Sequence, residues 1–187
     1  LLQPSGSILS NLTFSACYAS IFLKYTNAGV IANNVFNAGY GPQDLNFYGI
    51  YSDGAYNFHI NDNVFKHLKY GIWCSNSGSV GGRISSNSGN GNVFYECWRG
   101  IDCRGNNQNL LIKCNQFFNA AQSNNEYSTA WYIGGELGNQ GSTCNNSTCP
   151  AGNEFFRSGN RKDLYAVPGL PSCSTFNFCY FRHSSPS

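Results

Sequence analysis

An all-β solenoid of about six coils is the fold predicted by this chain of 187 residues. Three observations predict it. The composition starves helices, a phenylalanine-centred element recurs along the chain, and an aliphatic residue precedes it at a repeated distance. Asn (26), Ser (22) and Gly (21) dominate, while strong helix formers are scarce: five Lys, four Glu and no Met. Helical bundles and doubly wound α/β domains need long runs of such formers, so both are excluded. The 29 aromatic residues exclude a chain without a core. Charged residues make up 11% and the net charge is +2, which gives no electrostatic case for nucleic acid or a membrane surface as partner.

Asn-Val-Phe occurs three times, ending at Phe36, Phe65 and Phe94. Looser versions end at Phe14, Phe117 and Phe155, so successive spacings are 22, 29, 29, 23 and 38. Leu9, Ile31, Ile60 and Ile112 each stand five residues ahead of the Phe. In the fourth unit that place falls to Ile84, ten ahead, as though Ser88 to Asn92 were inserted. After Phe65 and Phe94 come Tyr70-Gly71-Ile72 and Arg99-Gly100-Ile101, with the Ile seven residues on. Tyr48-Gly49-Ile50 follows Phe36 at fourteen, with an insertion around Gly39-Tyr40-Gly41-Pro42.

Each unit therefore reads as a short strand, a turn, Asn-x-Phe, a turn, then Gly-Ile leading another strand. A coil of about 22 residues with loops added at fixed corners fits the spacing, because each coil of a solenoid contacts only its neighbours. Phe and aliphatic positions then stack into interior ladders. Asn at the same turn in every coil suits a left-handed backbone position and can bond its own turn. A β-sandwich also has short, regularly spaced strands, but has no reason to repeat one turn.

On its Asn-x-Phe and Tyr-Gly-Ile elements, over roughly residues 8 to 165, the chain resembles the right-handed parallel β-helix repeat proteins of the pectate-lyase-like superfamily. The text from Gly152-Asn153-Glu154-Phe155 to Asp163-Leu164-Tyr165 resembles secreted surface proteins of Bacteroidota that carry such domains. The resemblance implies a parallel β-helix over 1–165, with 166–187 as a C-terminal aromatic strand and disulfide-pinned segment packed on or capping it. The class spans lyases, hydrolases, tailspikes and adhesins, so activity must come from the site.

Nine cysteines with little charge favour an oxidising, extracellular setting. Asn11, Asn145 and Asn146 head glycosylation sequons. No stretch reaches the roughly 20 apolar residues that span a bilayer. Leu1-Leu2-Gln3-Pro4 lacks the signal-peptide pattern, so secretion calls on a signal outside this text. Methionine is missing even at position 1, as expected of a processed chain or a portion of a longer one.

Cys74 and Cys103 each follow the repeat Ile by two, so they should stack on neighbouring coils, as a disulfide or as two reduced interior thiols. Cys17 and Cys97 share another offset but lie three coils apart. Cys114, two after Ile112, is a further interior candidate. Cys144, Cys149, Cys173 and Cys179 lie in irregular text and are expected to form local disulfides rather than a zinc site, since neither spacing is the tight two-residue gap.

Glycoside hydrolysis needs two carboxylates facing across a sugar, and lyases of this class need a calcium-binding acidic cluster. The nine acids offer neither pattern, so no catalytic residue, metal or cofactor is expected. The best assembly is Asp53, His59 and Asp62, with Lys66, His67 and Lys69 at the next corner, and Asp62 is explained by an Asx turn. Ligand binding falls instead to aromatics outside the ladders: Trp73, Trp98, Trp131 and Tyr132, the last two in the longest insertion. Phe176 to Phe181 reads as an aromatic strand, and open coil ends invite pairing. The sequence reading is thus a non-catalytic extracellular structural or adhesive module, with a surface fibre of its own copies or an extracellular polysaccharide as partner. A β-helix lyase or hydrolase and a carbohydrate-binding module are the alternatives.

Overall fold

A computed structural model describes residues 8–15, 17–27, 29–39, 47–77, 81–85, 91–119, 129–138, 140, 152–157 and 162–166. The strands follow one another three to a coil. Coil 1 holds β1 (Ile8–Ser10), β2 (Thr13–Ser15) and β3 (Ala19–Lys24); coil 2 holds β4 (Val30–Ala32), β5 (Val35–Asn37) and β6 (Tyr48–Asp53). Coil 3 has β7 (His59–Asn61), β8 (Val64–Lys66) and β9 (Tyr70–Ser75); coil 4 has β10 (Arg83–Ser85), β11 (Val93–Tyr95) and β12 (Arg99–Asn107). Coil 5 has β13 (Leu111–Lys113), β14 (Gln116–Asn119) and β15 (Thr129–Leu137), and a sixth contributes β16 (Glu154–Arg157) and β17 (Lys162–Ala166). Equivalent strands pair in parallel into three sheets, β1-β4-β7-β10-β13, β2-β5-β8-β11-β14-β16 and β3-β6-β9-β12-β15-β17. This is the parallel β-helix expected from the repeat.

The register follows the sequence alignment. Phe14, Phe36, Phe65, Phe94, Phe117 and Phe155 form one column in the second sheet, with ring centroids 4.8 to 5.1 Å apart and planes within 8° of parallel. Leu9, Ile31, Ile60, Ile84 and Ile112 pair in the first sheet, so Ile84 does fill its place across the insertion. Ile21, Ile50, Ile72 and Ile101 align in the third. Phe36, Phe65, Phe94 and Phe117 are at most 1% exposed, and burying each contributes about 1.5–3 kcal/mol.

The corner between the first and second sheets differs from expectation by one residue. The left-handed conformation belongs to the residue before the Asn of Asn-x-Phe: Asn11, Asn33, Asp62, Gly91, Cys114 and Gly152. The Asn itself stacks instead. Asn34, Asn63, Asn92 and Asn115 each donate from Nδ2 to the Oδ1 of the next coil's Asn at 2.9–3.0 Å, ending on Asn153. Each also gives an Nδ2 proton to the carbonyl of the central residue of a first-sheet strand in an earlier coil: Leu9, Ile31, Ile60 and Ile84. A buried amide on this axis is thereby satisfied on every side. In coil 1 the equivalent residue is Leu12, whose backbone N–H donates to Asn34 Oδ1.

Cys74 and Cys103 are paired in register, wholly buried, and both are free thiols. Cys114 is not interior: it takes the left-handed corner position (φ 53°) and is half-exposed. Cys144, Cys149, Cys173 and Cys179 lie outside the described residues, as do Asn145, Asn146 and the 176–181 segment. Asn11 is exposed at its corner.

Candidate functional site: the outer face of the third sheet

The third sheet carries its longest strands and the most aromatic outer surface. One outward column runs Phe22, Tyr51, Trp73, Asp102 and Tyr132 through β3, β6, β9, β12 and β15. Phe22 stacks on Tyr51 at 4.8 Å, and Tyr51 on Trp73 at 4.3 Å, with planes 10° and 14° apart. A second outward column starts with Tyr48 stacked on Tyr70 at 4.8 Å and continues to Arg99. Tyr48 also meets Tyr51 edge-on at 5.3 Å. Rings piled at strand spacing turn their faces to one another and their edges to solvent. Phe22 is 49% exposed, the others half-buried.

Asp102 interrupts the aromatic column. Its side chain is fully buried although the register points it outward, because two arginines of its own strand close over it. Arg99 Nη1 donates to Oδ2; Arg104 Nε donates to Oδ1 at 2.9 Å and its Nη2 to Oδ2 at 3.2 Å. A carboxylate without water needs such partners. The bond to Asp102 raises the Arg104 pKa above its ordinary value. The Arg99 guanidinium lies 3.9 Å from the centroid of the Tyr132 ring, and that of Arg104 5.3 Å from it. Planar cation and ring thus continue the stack where an aromatic side chain is missing. Desolvation, then the neighbouring Tyr70, pushes the Tyr48 phenol up to about 12; desolvation, then Asp53, raises that of Tyr51. Both remain O–H donors at neutral pH.

Of the aromatics singled out in the sequence, this face brings together Trp73 and Tyr132. Trp131 does not join them: it is 0% exposed and replaces Ile in the interior column, between Ile101 and Leu164. Tyr132 beside it faces out because a strand alternates. Trp98 sits at the corner before β12, half-buried beneath Lys69 Nζ at 4.9 Å. Asp102 and its arginines are not anticipated in the sequence: alternation puts Asp102 and Arg104 on one face but counts Arg99 to the other, whereas in the structure Arg99 also bonds Asp102. A second outer stack, Tyr95, Phe118 and Phe156 on the second sheet at 5.0 and 4.4 Å, is not anticipated either.

The acid–base candidates do not converge. His59, on the first sheet, bonds Ser85 Oγ at 3.1 Å. Burial and Arg83 lower its pKa. Asp62 sits at a left-handed corner and accepts from Asn61 Nδ2 at 2.7 Å, a side-chain bond rather than the expected Asx turn, since the Val64 N–H donates to the Asn34 carbonyl. Asp53 ends β6 on the third sheet, and His67 pairs with Glu96 at 3.1 Å.

Residues 1–156 match the family described as periplasmic copper-binding protein (NosD). Neither a curated protein nor a solved structure matches the chain. Copper requires imidazole or sulfur ligands that converge. Among the described residues no three His, Cys, Asp or Glu side chains gather to hold a metal. The two thiols that do adjoin, Cys74 and Cys103, are sealed in the core, where burial opposes the thiolate a metal needs. The described residues do not fit a copper centre.

Proposed function

The chain belongs to the NosD family of proteins described as periplasmic and copper-binding, and from that premise we propose that it works outside the cytoplasm as a non-catalytic adhesive scaffold for extracellular polysaccharide. One observation carries this reading: the third sheet offers an outward column of aromatic rings continued by guanidinium groups, while among the described residues no three acid, His or Cys side chains gather. Sugar binding by rigid aromatic and Arg surfaces needs no proton transfer; lyase and hydrolase chemistry needs grouped acids and bases. The resemblance to surface proteins of Bacteroidota belongs to this reading, as does residues 166–187 serving as a cap on a 1–165 solenoid.

Incubation with a uronate polymer and a neutral glucan tests it. Retention of the protein without unsaturated product or new reducing ends is the expected result, and release of either product overturns the non-catalytic reading.

Assembly into a surface fibre is a second reading, favoured by the first coil. Ile8, Leu12, Tyr18, Phe22 and Tyr25, at 40–71% exposed, place much of the exposed large apolar surface there. Sedimentation tests it: mass should rise with concentration, and a monomer throughout overturns it.

A further inference from the structure

We infer that Arg99 and Arg104, locked in place by Asp102, form a carboxylate-binding subsite that selects a uronate polysaccharide over a neutral one. The inference rests on the adhesive reading of this face and names the ligand class.

The charge balance of the triad comes first. One carboxylate faces two guanidinium groups, leaving one net positive charge. Asp102 is unavailable to a ligand, since both its oxygens are taken and its side chain is 0% exposed. Its part is to hold the two planar cations, a positioning role. The bonds to Asp102 use one N–H of Arg99 and two of Arg104, out of five on each guanidinium. Arg104 is 42% exposed, so its remaining edge is open to an incoming oxyanion. A guanidinium fork matches a carboxylate in two parallel hydrogen bonds, which a neutral sugar hydroxyl cannot reproduce.

The surroundings agree in sign. Stacked rings present their positive edges outward, and Phe22, Tyr51 and Trp73 do so along the column leading to the triad. The phenols of Tyr48 and Tyr51 stay protonated and can donate to acceptor oxygens. Lys69 Nζ, 6.0 Å from the Tyr70 ring, adds a cation at the border. The acidic neighbours are offset: Asp53 is two coils away in the Arg104 column, and Glu136 accepts from Gln108. A polymer lying across the coils would meet ring edges and the Tyr48 and Tyr51 phenols in the earlier coils and the net positive triad in the fourth.

Affinity electrophoresis through gels carrying polygalacturonate or dextran tests the inference. Arg104→Gln removes the open guanidinium; Lys66→Gln makes the same charge change on the second sheet. The wild type should be retarded by polygalacturonate and much less by dextran. Arg104→Gln should weaken polygalacturonate binding at least about tenfold, the scale of a lost charged hydrogen-bond pair. Arg104→Lys should fall between, and Lys66→Gln should stay within about twofold, since this half-buried cation lies on a different sheet from the triad. Unchanged melting of Arg104→Gln establishes that the fold survives. Equal losses in the two Gln variants reduce the effect to net charge and overturn the inference. Equal retention by dextran and polygalacturonate overturns it while leaving the adhesive reading standing; no retention by either overturns both.

Discussion

A Cβ placed on Gly71 would lie 2.7 Å from Cδ1 of Phe94 and 2.6 Å from the carbonyl oxygen of Gly100, both one coil on. Gly49 stands in the same relation to Phe65 and to the Gly71 carbonyl. The repeated Gly before Ile is thus a consequence of the repeated Phe. The stacked rings reach across the interior to the start of each third-sheet strand, and nothing larger than hydrogen fits between. Gly71→Ala should cost about 1–3 kcal/mol by overpacking, read from the urea midpoint. In a Phe94→Leu background the same change should cost less, because the ring is gone. Equal costs in both backgrounds would mean the backbone carbonyl, not the ring, sets the limit.

Asn92 is buried and serves four partners: it accepts from the backbone and side chain of Asn63 and donates to Asn115 and to the Ile60 carbonyl. Asn92→Leu would take these partners from the Asn63 backbone N–H and the Ile60 carbonyl, while Asn115 Oδ1 keeps the Asn92 backbone N–H and Asn63 Nδ2 keeps the Ile31 and Asn61 carbonyls. A loss of about 2–4 kcal/mol is expected in chemical denaturation, since each orphaned buried polar group costs about 1–3 kcal/mol. Leu12 occupies the equivalent place in coil 1 without this penalty, because there it only donates its backbone N–H to Asn34. A nearly neutral Asn92→Leu would show that the amide column is ornamental to stability.

Phe and Ile were legible in the sequence because they recur by type and their interior places tolerate no polar substitute. Even Ile84 was found across an insertion. The corner differs from the sequence expectation by one residue, since left-handed and stacking positions adjoin and both attract Asn, as in Asn33-Asn34. The interior place of Trp131 is hidden in the sequence for a different reason. Its strand follows an insertion that breaks the count from Phe117, and Trp replaces the Ile that marks the frame. Asp102 was illegible as a site because its meaning depends on Tyr132, one coil on, covering its arginines.

Burial pushes the Cys74 and Cys103 thiols up, well away from their ordinary range, whereas Cys17 is exposed. Thiolate is the reactive form, so folded protein should be labelled at Cys17 and spared at Cys74 and Cys103 by a soluble alkylating reagent. Peptide mapping after a brief pulse, native against denatured, checks this. Native labelling of Cys103 would mean that the third sheet opens near β12.

His59 titrates below its ordinary value in the folded chain, chiefly through burial and secondly through Arg83. Below pH 6.5 the unfolded chain therefore binds more protons than the folded one, and stability falls as pH drops through that region. The contribution is fully present at neutral pH. Denaturation midpoints at pH 7.5 and 5.0 should differ more for the wild type than for His59→Gln, which keeps a polar partner for Ser85. Parallel slopes for the two proteins would remove His59 as the source.

Asp102 and its arginines should respond unequally to removal. The carboxylate is wholly buried, Arg99 is 11% exposed and Arg104 is 42% exposed. Asp102→Asn leaves two guanidinium groups side by side with no countercharge, and a broken buried pair costs about 3–5 kcal/mol. Arg104 can swing toward water, which draws the expected loss to the lower end of that range or just beneath it. Arg104→Gln leaves Asp102 still held by Arg99, so its cost should stay under about 1 kcal/mol, as for exposed ion pairs. Arg99→Gln should fall between, since its guanidinium also covers Tyr132. Urea midpoints for the three variants check the order. If Arg104→Gln proved the most damaging, Arg104 would be the clamp and Arg99 the open group, reversing their roles at the oxyanion subsite.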